Sequence, residues 1–444
     1  MNRIIFHPVV SMFISLILAL SSPLAAADGP LAAADGPQAV PARAAWATPG
    51  RSVDEMLAIA RTMNPGLAAA ALDAHAAQLR VGTTGRYPDP MLRTEFEDIT
   101  GDGNRYAPDT LGRIKYTVEQ TIPLWGKLGL ERKMASAEAD AAAEQRRVVE
   151  TELAARIKVV FANAYATEEA IRVNEELLDT VQAIARVAQS RYGQGAGGQQ
   201  DAVMAEVERG RLQADLARLE GDRRTWAAQL NALLNRPITA PLAPAAELRR
   251  VPPPEALALD ALVERARRAS PALAVDAARI NADRRAAELV RRNWYPDVTL
   301  GLSVFDRDEG RDRDFGGYEA MVSFDVPLQW GLRRAREGEA QAKLAASQAR
   351  REATSLELQS QLGAARASLV SARHGERILS EVNIPQTEVV LQSALAGYQL
   401  GRVDLPTVLL AEQAMLRVAL DRIDLLTLQQ VRLAEIERAI GEEL

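Results

Sequence analysis

None of the 444 residues is cysteine, which excludes disulfide staples, thiolate metal centres and a cysteine-linked lipid anchor. Beyond Asp28 no long apolar run occurs, so a spanning helix is excluded there. Barrel strands are not, because their alternation is a weak signal in any one segment. His7 lies in the leader region, and His75 and His374 are unpartnered in the sequence, so no tight metal site of soft or imidazole ligands is expected. The chain has no nucleotide-binding loop and no catalytic constellation; neither enzymatic activity nor a cofactor is expected. A net charge of -6 is modest for this length and argues against nucleic acid as a partner.

The N-terminus has the layout of a secretory signal over residues 1–27. Arg3 precedes an apolar run from Val9 to Leu20, and Ala25-Ala26-Ala27 supplies small residues for cleavage. Pro23 to Gly29 recurs at once as Pro30 to Gly36, so cleavage after Ala34 is an alternative. The apolar run is short of the roughly 20 residues that a spanning anchor needs. Residues 28–51 read as a flexible segment.

From Ser52 onward the chain carries one pattern twice. Landmarks recur after about 206 residues, a period of domain size rather than of a solenoid unit. Asn64-Pro65 answers to Ser270-Pro271, Pro88-Asp89 to Pro296-Asp297, Tyr192 to Tyr398, and Ala205-Glu206 to Ala411-Glu412. The expected organisation is a first repeat over 52–237, a Pro-rich linker over 238–258 and a second repeat over 259–444.

Each repeat contains two stretches of period-two alternation, the mark of a strand. Strands are expected at about 91–99 and 112–122, and at about 297–306 and 318–326, each near the 9 to 11 residues that cross a bilayer when tilted. Thr100 to Leu111 and Asp306 to Gly317 read as the polar loops that join them. Arg93, Glu95, Glu97, Arg113, Lys115, Glu119, Glu319 and Asp325 alternate with apolar residues and would face a wet lumen. Tyr87, Trp125, Trp294, Tyr295 and Trp330 stand where strands begin or end, as membrane-interface aromatics do. Two soluble hairpins on a helical body are the alternative. Four strands cannot close alone, and lipid tolerates no open edge, so spanning strands require several chains. Three chains would supply twelve strands.

Helical periodicity runs from Gly126 to about Arg191 and from Gly331 to about Tyr398. In the first, Leu153, Ile157, Val160, Ala164, Ile171, Leu178, Val181, Ala185 and Ala188 form a heptad stripe broken at Thr167 and Asn174. About 65 residues of helix reach roughly 100 Å. Shorter helices are expected over about 64–86, 199–234, 270–293 and 405–440, with Asn64 and Ser270 capping two of them ahead of prolines. Pro385 should kink the second long helix, either as a working joint or as a tolerated irregularity. The long helices end in turns carrying Tyr192, Gly195, Gln199 and Asp201, and Tyr398, Gly401, Arg402 and Asp404. These turns are either plain hairpin connections or a site where partners dock.

With these residues in order, the chain resembles the TolC-like outer-membrane efflux proteins. The likeness is carried by Asn64-Pro65, Tyr87-Pro88-Asp89-Pro90, Gln120-Thr121-Ile122-Pro123 with Gly126-Lys127, and the run from Tyr192 to Glu206. Tyr-Pro-Asp-Pro and Gly-Lys are similar to the cobalt-zinc-cadmium and copper-silver branch. The resemblance implies a mainly α fold with membrane β: a duplicated helix-hairpin-helix unit whose coiled-coil helices form an α-barrel, with four strands per chain in a twelve-stranded trimeric β-barrel. It also implies a homotrimer in outer-membrane lipid, with a periplasmic adaptor and a proton-driven inner-membrane pump as partners and the two turns as the tips the adaptor meets. Where that family often narrows its entrance with acidic residues, this chain has Thr407 and Leu410. A passive efflux conduit for metal ions or drugs is the expected function; a conduit for protein or peptide secretion and a poreless coiled-coil scaffold are the alternatives.

Overall fold

The computed structural model describes residues 48–97, 113–195, 197–308 and 313–444. The expected signal over 1–27, most of segment 28–51 and the loop Thr100 to Leu111 lie outside them. In order, the elements are α1 (Val53–Met63), α2 (Pro65–Thr83), β1 (Met91–Glu97), β2 (Arg113–Ile122), α3 (Lys127–Gly193) and α4 (Gln199–Leu233). The second repeat continues with α5 (Leu259–Ala269), α6 (Pro271–Arg292), β3 (Val298–Asp308), β4 (Arg313–Phe324), α7 (Trp330–Ile378), a π-helical turn (Leu379–Asn383), α8 (Ile384–Gln399) and α9 (Leu405–Ile440).

The long helix α3 has 67 residues and so extends about 100 Å. It packs along α4 and α2, while α9 and α6 of the second repeat also lie against it. Of the expected stripe, Ile157, Val160, Ile171, Val181, Ala185 and Ala188 are buried, and Leu153, Ala164 and Leu178 lie half-buried at its margin. The two polar interruptions stay in the seam. Thr167 and Asn174 are buried there and donate to the carbonyls of Asn163 and Ala170 at 3.0 and 2.8 Å, while Asn174 Oδ1 stays buried without a hydrogen-bond partner.

Two short helices, α1 and α5, were not anticipated as separate elements. In α1 the burial of Val53, Met56, Leu57 and Ala60 is a one-faced helical stripe, and Ser52 caps it by accepting from Glu55 N at 3.3 Å. Asn64 caps α2 as expected, accepting from Gly66 N at 2.9 Å and Leu67 N at 3.2 Å. Ser270 does not cap α6. It is buried at the α5–α6 junction, its backbone N–H is bonded to Ala266 O, and its shorter side chain makes no cap bond.

The second long helix is jointed, as Pro385 demands. Proline has no N–H and crowds the carbonyl four residues back, and the ladder answers with the wider π turn just before it. Arg422 of α9 braces this turn, donating from Nε to Ser380 Oγ at 2.7 Å.

All four strands form one antiparallel sheet in the order β1-β2-β3-β4, so β2 of the first repeat pairs with β3 of the second. β4 begins at Arg313, earlier than the expected 318, and ends at Phe324 ahead of Val326-Pro327. The reason is a bulge at Phe305/Asp306, which keeps Gly316 and Gly317 within the strand and so carries it through a segment that reads as loop. Those glycines lie under the Phe305 ring, where a Cβ on Gly316 would come within 2.7 Å of it.

Apolar packing is distributed along the body in separate clusters. One joins α1, α3 and α4 around Met56, Ile157 and Leu230; another joins α5, α7 and α9 around Leu262, Leu362 and Ile436. Between them a buried ion cluster crosses the repeats: Lys158 of α3 and Glu437 of α9 meet at 2.9 Å, each 4% exposed, and Arg249 of the linker bonds the same carboxylate at 2.9 Å. Burial alone would raise the Glu437 carboxyl, but Arg249 and then Lys158 outweigh it and hold the group below its ordinary value. Its stabilisation is therefore present above the usual carboxylate range and is lost as pH falls through the depressed value. Lys158→Met, which leaves a buried charge with one partner fewer, is expected to cost about 3 kcal/mol at neutral pH. Denaturant unfolding of variant and parent measures the loss, which should shrink in acid.

Candidate functional site

The sheet has two chemically opposite faces. Register places Arg93, Glu95 and Glu97 on the same face as Arg113, Lys115 and Glu119, and continues across Ser303 to Glu319. The other face carries Leu92 and Phe96, then Tyr116 and Val118, Leu300 and Leu302, Tyr318 and Val322. Leu92 is 68% exposed and Val322 58%, so this is a broad uncovered apolar surface. The charged face is knit together by its own ion pairs. Arg93 meets Glu119 at 3.2 Å, Arg113 meets Glu97 at 3.4 Å, and Lys115 reaches Glu319 at 2.7 Å. Arg113 also lies over the Phe305 ring at 3.8 Å. Where the two repeats join, Thr117 Oγ1 and Ser303 Oγ share a hydrogen bond at 2.8 Å, and Thr121 and Thr299 share one at 3.0 Å. Asp325 lies just beyond β4, exposed, with its N–H bonded to Asp297 O.

The five expected interface aromatics gather at one end of the sheet, because β1 and β3 begin there and β2 and β4 finish there. Tyr87, Trp125, Tyr295 and Trp330 are exposed and Trp294 is half-buried. Trp125 adopts φ 62, a left-handed conformation costly for a residue with a side chain, and so brings its ring within 5.0 Å of Tyr295 and its Nε1 to Pro296 O at 3.1 Å. Beneath them Lys127, nearly buried, donates to Asp297 Oδ1 at 2.8 Å and to Tyr295 O at 3.0 Å. This tie between the sheet and the first long helix was not read from the sequence, although Asp297 sits in the recurring Pro-Asp motif and Lys127 in the Gly-Lys pair after the strand exit.

At the far end of the long helices the two tips share one geometry. Gly195 and Gly401 both have φ +71, and each donates its N–H to the carbonyl of the tyrosine three residues back, Tyr192 or Tyr398, at 3.0 Å. Only glycine takes that φ without strain. Gln199 opens α4 with Asp201 in its first turn, and Asp404 caps α9 by accepting from Thr407 N at 3.4 Å. Arg402 N–H closes the second turn onto Gly397 O at 2.8 Å. Tyr192 stands exposed, whereas Tyr398 is 3% exposed. Leu410 is uncovered.

Arg191 was missed in the sequence and binds the tips together. Its Nη1 donates to Tyr398 O at 2.6 Å and its guanidinium lies 5.0 Å from that ring. Burial and then the charge of Asp201 push the Tyr398 phenol above its usual value, with Arg191 opposing. Tip and tip are thus fastened side chain to backbone within one chain. Among the described residues no group of His, Asp and Glu is arranged to hold a metal ion. No helix there is long and apolar enough to cross a membrane.

The model of the family described as outer membrane efflux protein matches residues 57–236 and 262–442, one copy for each repeat. Among solved structures, the outer-membrane channel OprN has a TM-score of 0.75 at 16% identity, over 88% of this chain and 89% of that one. VceC of Vibrio cholerae has a TM-score of 0.74 at 16% identity, covering 88% and 96%. CusC, solved for its transmembrane channel formation, has a TM-score of 0.72 at 17% identity, covering 88% and 92%. At these identities the likeness is one of fold. No curated protein matches the chain. Replacing Arg191 by Ala removes a charged hydrogen bond worth about 1.5 kcal/mol. Amide exchange over residues 396–404 should then quicken roughly tenfold, which exchange mass spectrometry reads directly.

Proposed function

The chain belongs to the outer membrane efflux protein family, and on that premise we propose that it is the outer-membrane channel of a tripartite efflux system. Three copies close their sheets into one twelve-stranded barrel, and their helices continue it as an α-barrel through the periplasm. The observation that carries this is the sheet itself, apolar on one face and charged on the other, with both outer edges unpaired among the described residues. In lipid such edges must pair, and joining β4 of one chain to β1 of the next does it with the apolar face outward. The charged residues from Arg93 to Glu319 then line the lumen, and the aromatic cluster around Trp125 marks the membrane interface nearer the helices.

Transport through this conduit is passive. The energy comes from a proton-driven pump in the inner membrane, delivered through a periplasmic adaptor that engages the tips at Tyr192, Gly195, Gln199 and Asp201 and at Tyr398, Gly401, Arg402 and Asp404. The cargo is small toxic solutes, metal ions or drugs. The similarity to OprN, VceC and CusC is one of fold and names no cargo.

Purified protein is expected to require detergent, to run as a trimer with heat-modifiable β structure, and to conduct ions in planar bilayers. A monodisperse soluble monomer without conductance would overturn the proposal. A deletion strain should become sensitive to metals or drugs, and its susceptibility profile names the cargo; loss of a secreted protein with unchanged susceptibility would point instead to secretion. Charge reversal at Asp201 or Arg402 should weaken adaptor capture several-fold while trimer yield holds. Unaltered efflux in both variants would remove the tips from docking.

A further inference from the structure

About two turns in from the tips, α4 and α9 bring two carboxyl groups together inside the apolar cluster that fastens one helical hairpin to the other. Glu412 of α9 is 0% exposed, and neither of its carboxyl oxygens meets a hydrogen-bond donor. Glu208 of α4 is buried as well but takes the donors at hand, Arg211 Nε at 2.7 Å and Gln413 Nε2 at 3.0 Å. Arg211 is divided further, since Nη1 reaches Asp215 at 3.2 Å. The other walls of the cluster are apolar: Leu177, Val181 and Ile184 from α3, and Leu391 and Ala394 from α8. Tyr398 adds a phenol at the tip side. One guanidinium thus serves two carboxyl groups, Glu208 and Asp215, and Glu412 is left out.

An ionised carboxylate buried without a donor is strongly disfavoured, and a second one beside it adds repulsion. Carrying a proton, Glu412 donates to Glu208 and both conditions are relieved. We infer that Glu208 and Glu412 form a proton-operated latch between the two hairpins, in which one shared proton holds α4 against α9 and its loss loosens them. The latch rests on the conduit reading only for its consequence, a tip end that opens more readily as pH rises.

Burial first, then the Glu208 charge against the opposing pull of Arg211, and then the hydrogen bond to Glu208 push Glu412 from 4.5 up to about 7. Separating the hairpins returns the group to water and to its ordinary value. The closed form therefore holds the proton more tightly: closure is strongest below about 4.5 and weakens as pH rises, levelling off above about 7. Each unit between the two values changes the closed-to-open ratio about tenfold.

Hydrogen exchange of the full-length protein in detergent, corrected for intrinsic amide rates, tests this at pH 5.5 and 8.5. In the parent, amides over residues 205–212 and 409–416 should open about tenfold or more faster at the higher pH. Glu412→Gln, neutral throughout, should stay near the acid level at both. Glu208→Gln, which removes the like charge and frees Arg211, should move the midpoint toward acid. Equal opening of the parent at both pH values, or a pH response that survives in Glu412→Gln, would overturn the latch. Conductance separates the two readings. Flat exchange in a conducting protein sinks the latch alone, and pH-dependent exchange in a protein that never conducts supports the latch and sinks the conduit.

Discussion

A strand in hydrocarbon must have every N–H and C=O paired within protein, and β1 and β4 each present one edge without a neighbour among the described residues. The rest of the molecule is arranged around this requirement. The fused repeat lets β2 pair with β3 across the duplication, so one chain presents four contiguous strands and two open edges. The alternation of side chains sorts charge to one face and apolar surface to the other. Lys127, held by Asp297 and Tyr295 O, fixes the sheet to the helix that continues from it.

Below the sheet, stability comes from many small clusters in place of one large core. Long helices provide little depth of burial, so each level needs its own fastening. Near the middle it is Lys158, Glu437 and Arg249 that tie first repeat, second repeat and linker together. At the tips it is Arg191 against Tyr398 and, just behind, the acid pair in the apolar cluster. The π turn before Pro385 belongs to the second repeat alone, so the two hairpins match at their tips and differ in the shafts that carry them.

Much of this was legible in the sequence because it is local and periodic. Alternation found all four strands, the heptad stripe found α3, and the proline found the joint. What the sequence concealed is pairing across distance and burial set by tertiary packing. The stretch Asp306 to Gly317 has the glycine and charge of a loop, yet the bulge at Phe305/Asp306 draws part of it into β4. The repeat does not carry burial over from one copy to the other. Glu206 and Glu412 correspond by the period, but Glu206 lies near the surface and bonds Gln189 at 3.2 Å, whereas Glu412 is enclosed where α9 meets α3, α4 and α8. The Arg191 bond to Tyr398 O joins residues 207 apart in sequence, and no local pattern announces it.

The contiguity of the four strands has a consequence for how copies of this chain depend on one another. In the proposed ring the free edges belong to different strands that run in opposite directions, so the joint between chains would be heterologous, a head meeting a tail, and growth would stop only when the ring closes on itself. Each chain has one seam on its left and one on its right, and no seam is duplicated elsewhere as a reserve. A single copy with a damaged β1 or β4 therefore leaves the whole wall unsealed. In a cell that makes both forms, such a defect is dominant, because it spoils every ring it enters along with the intact chains in it.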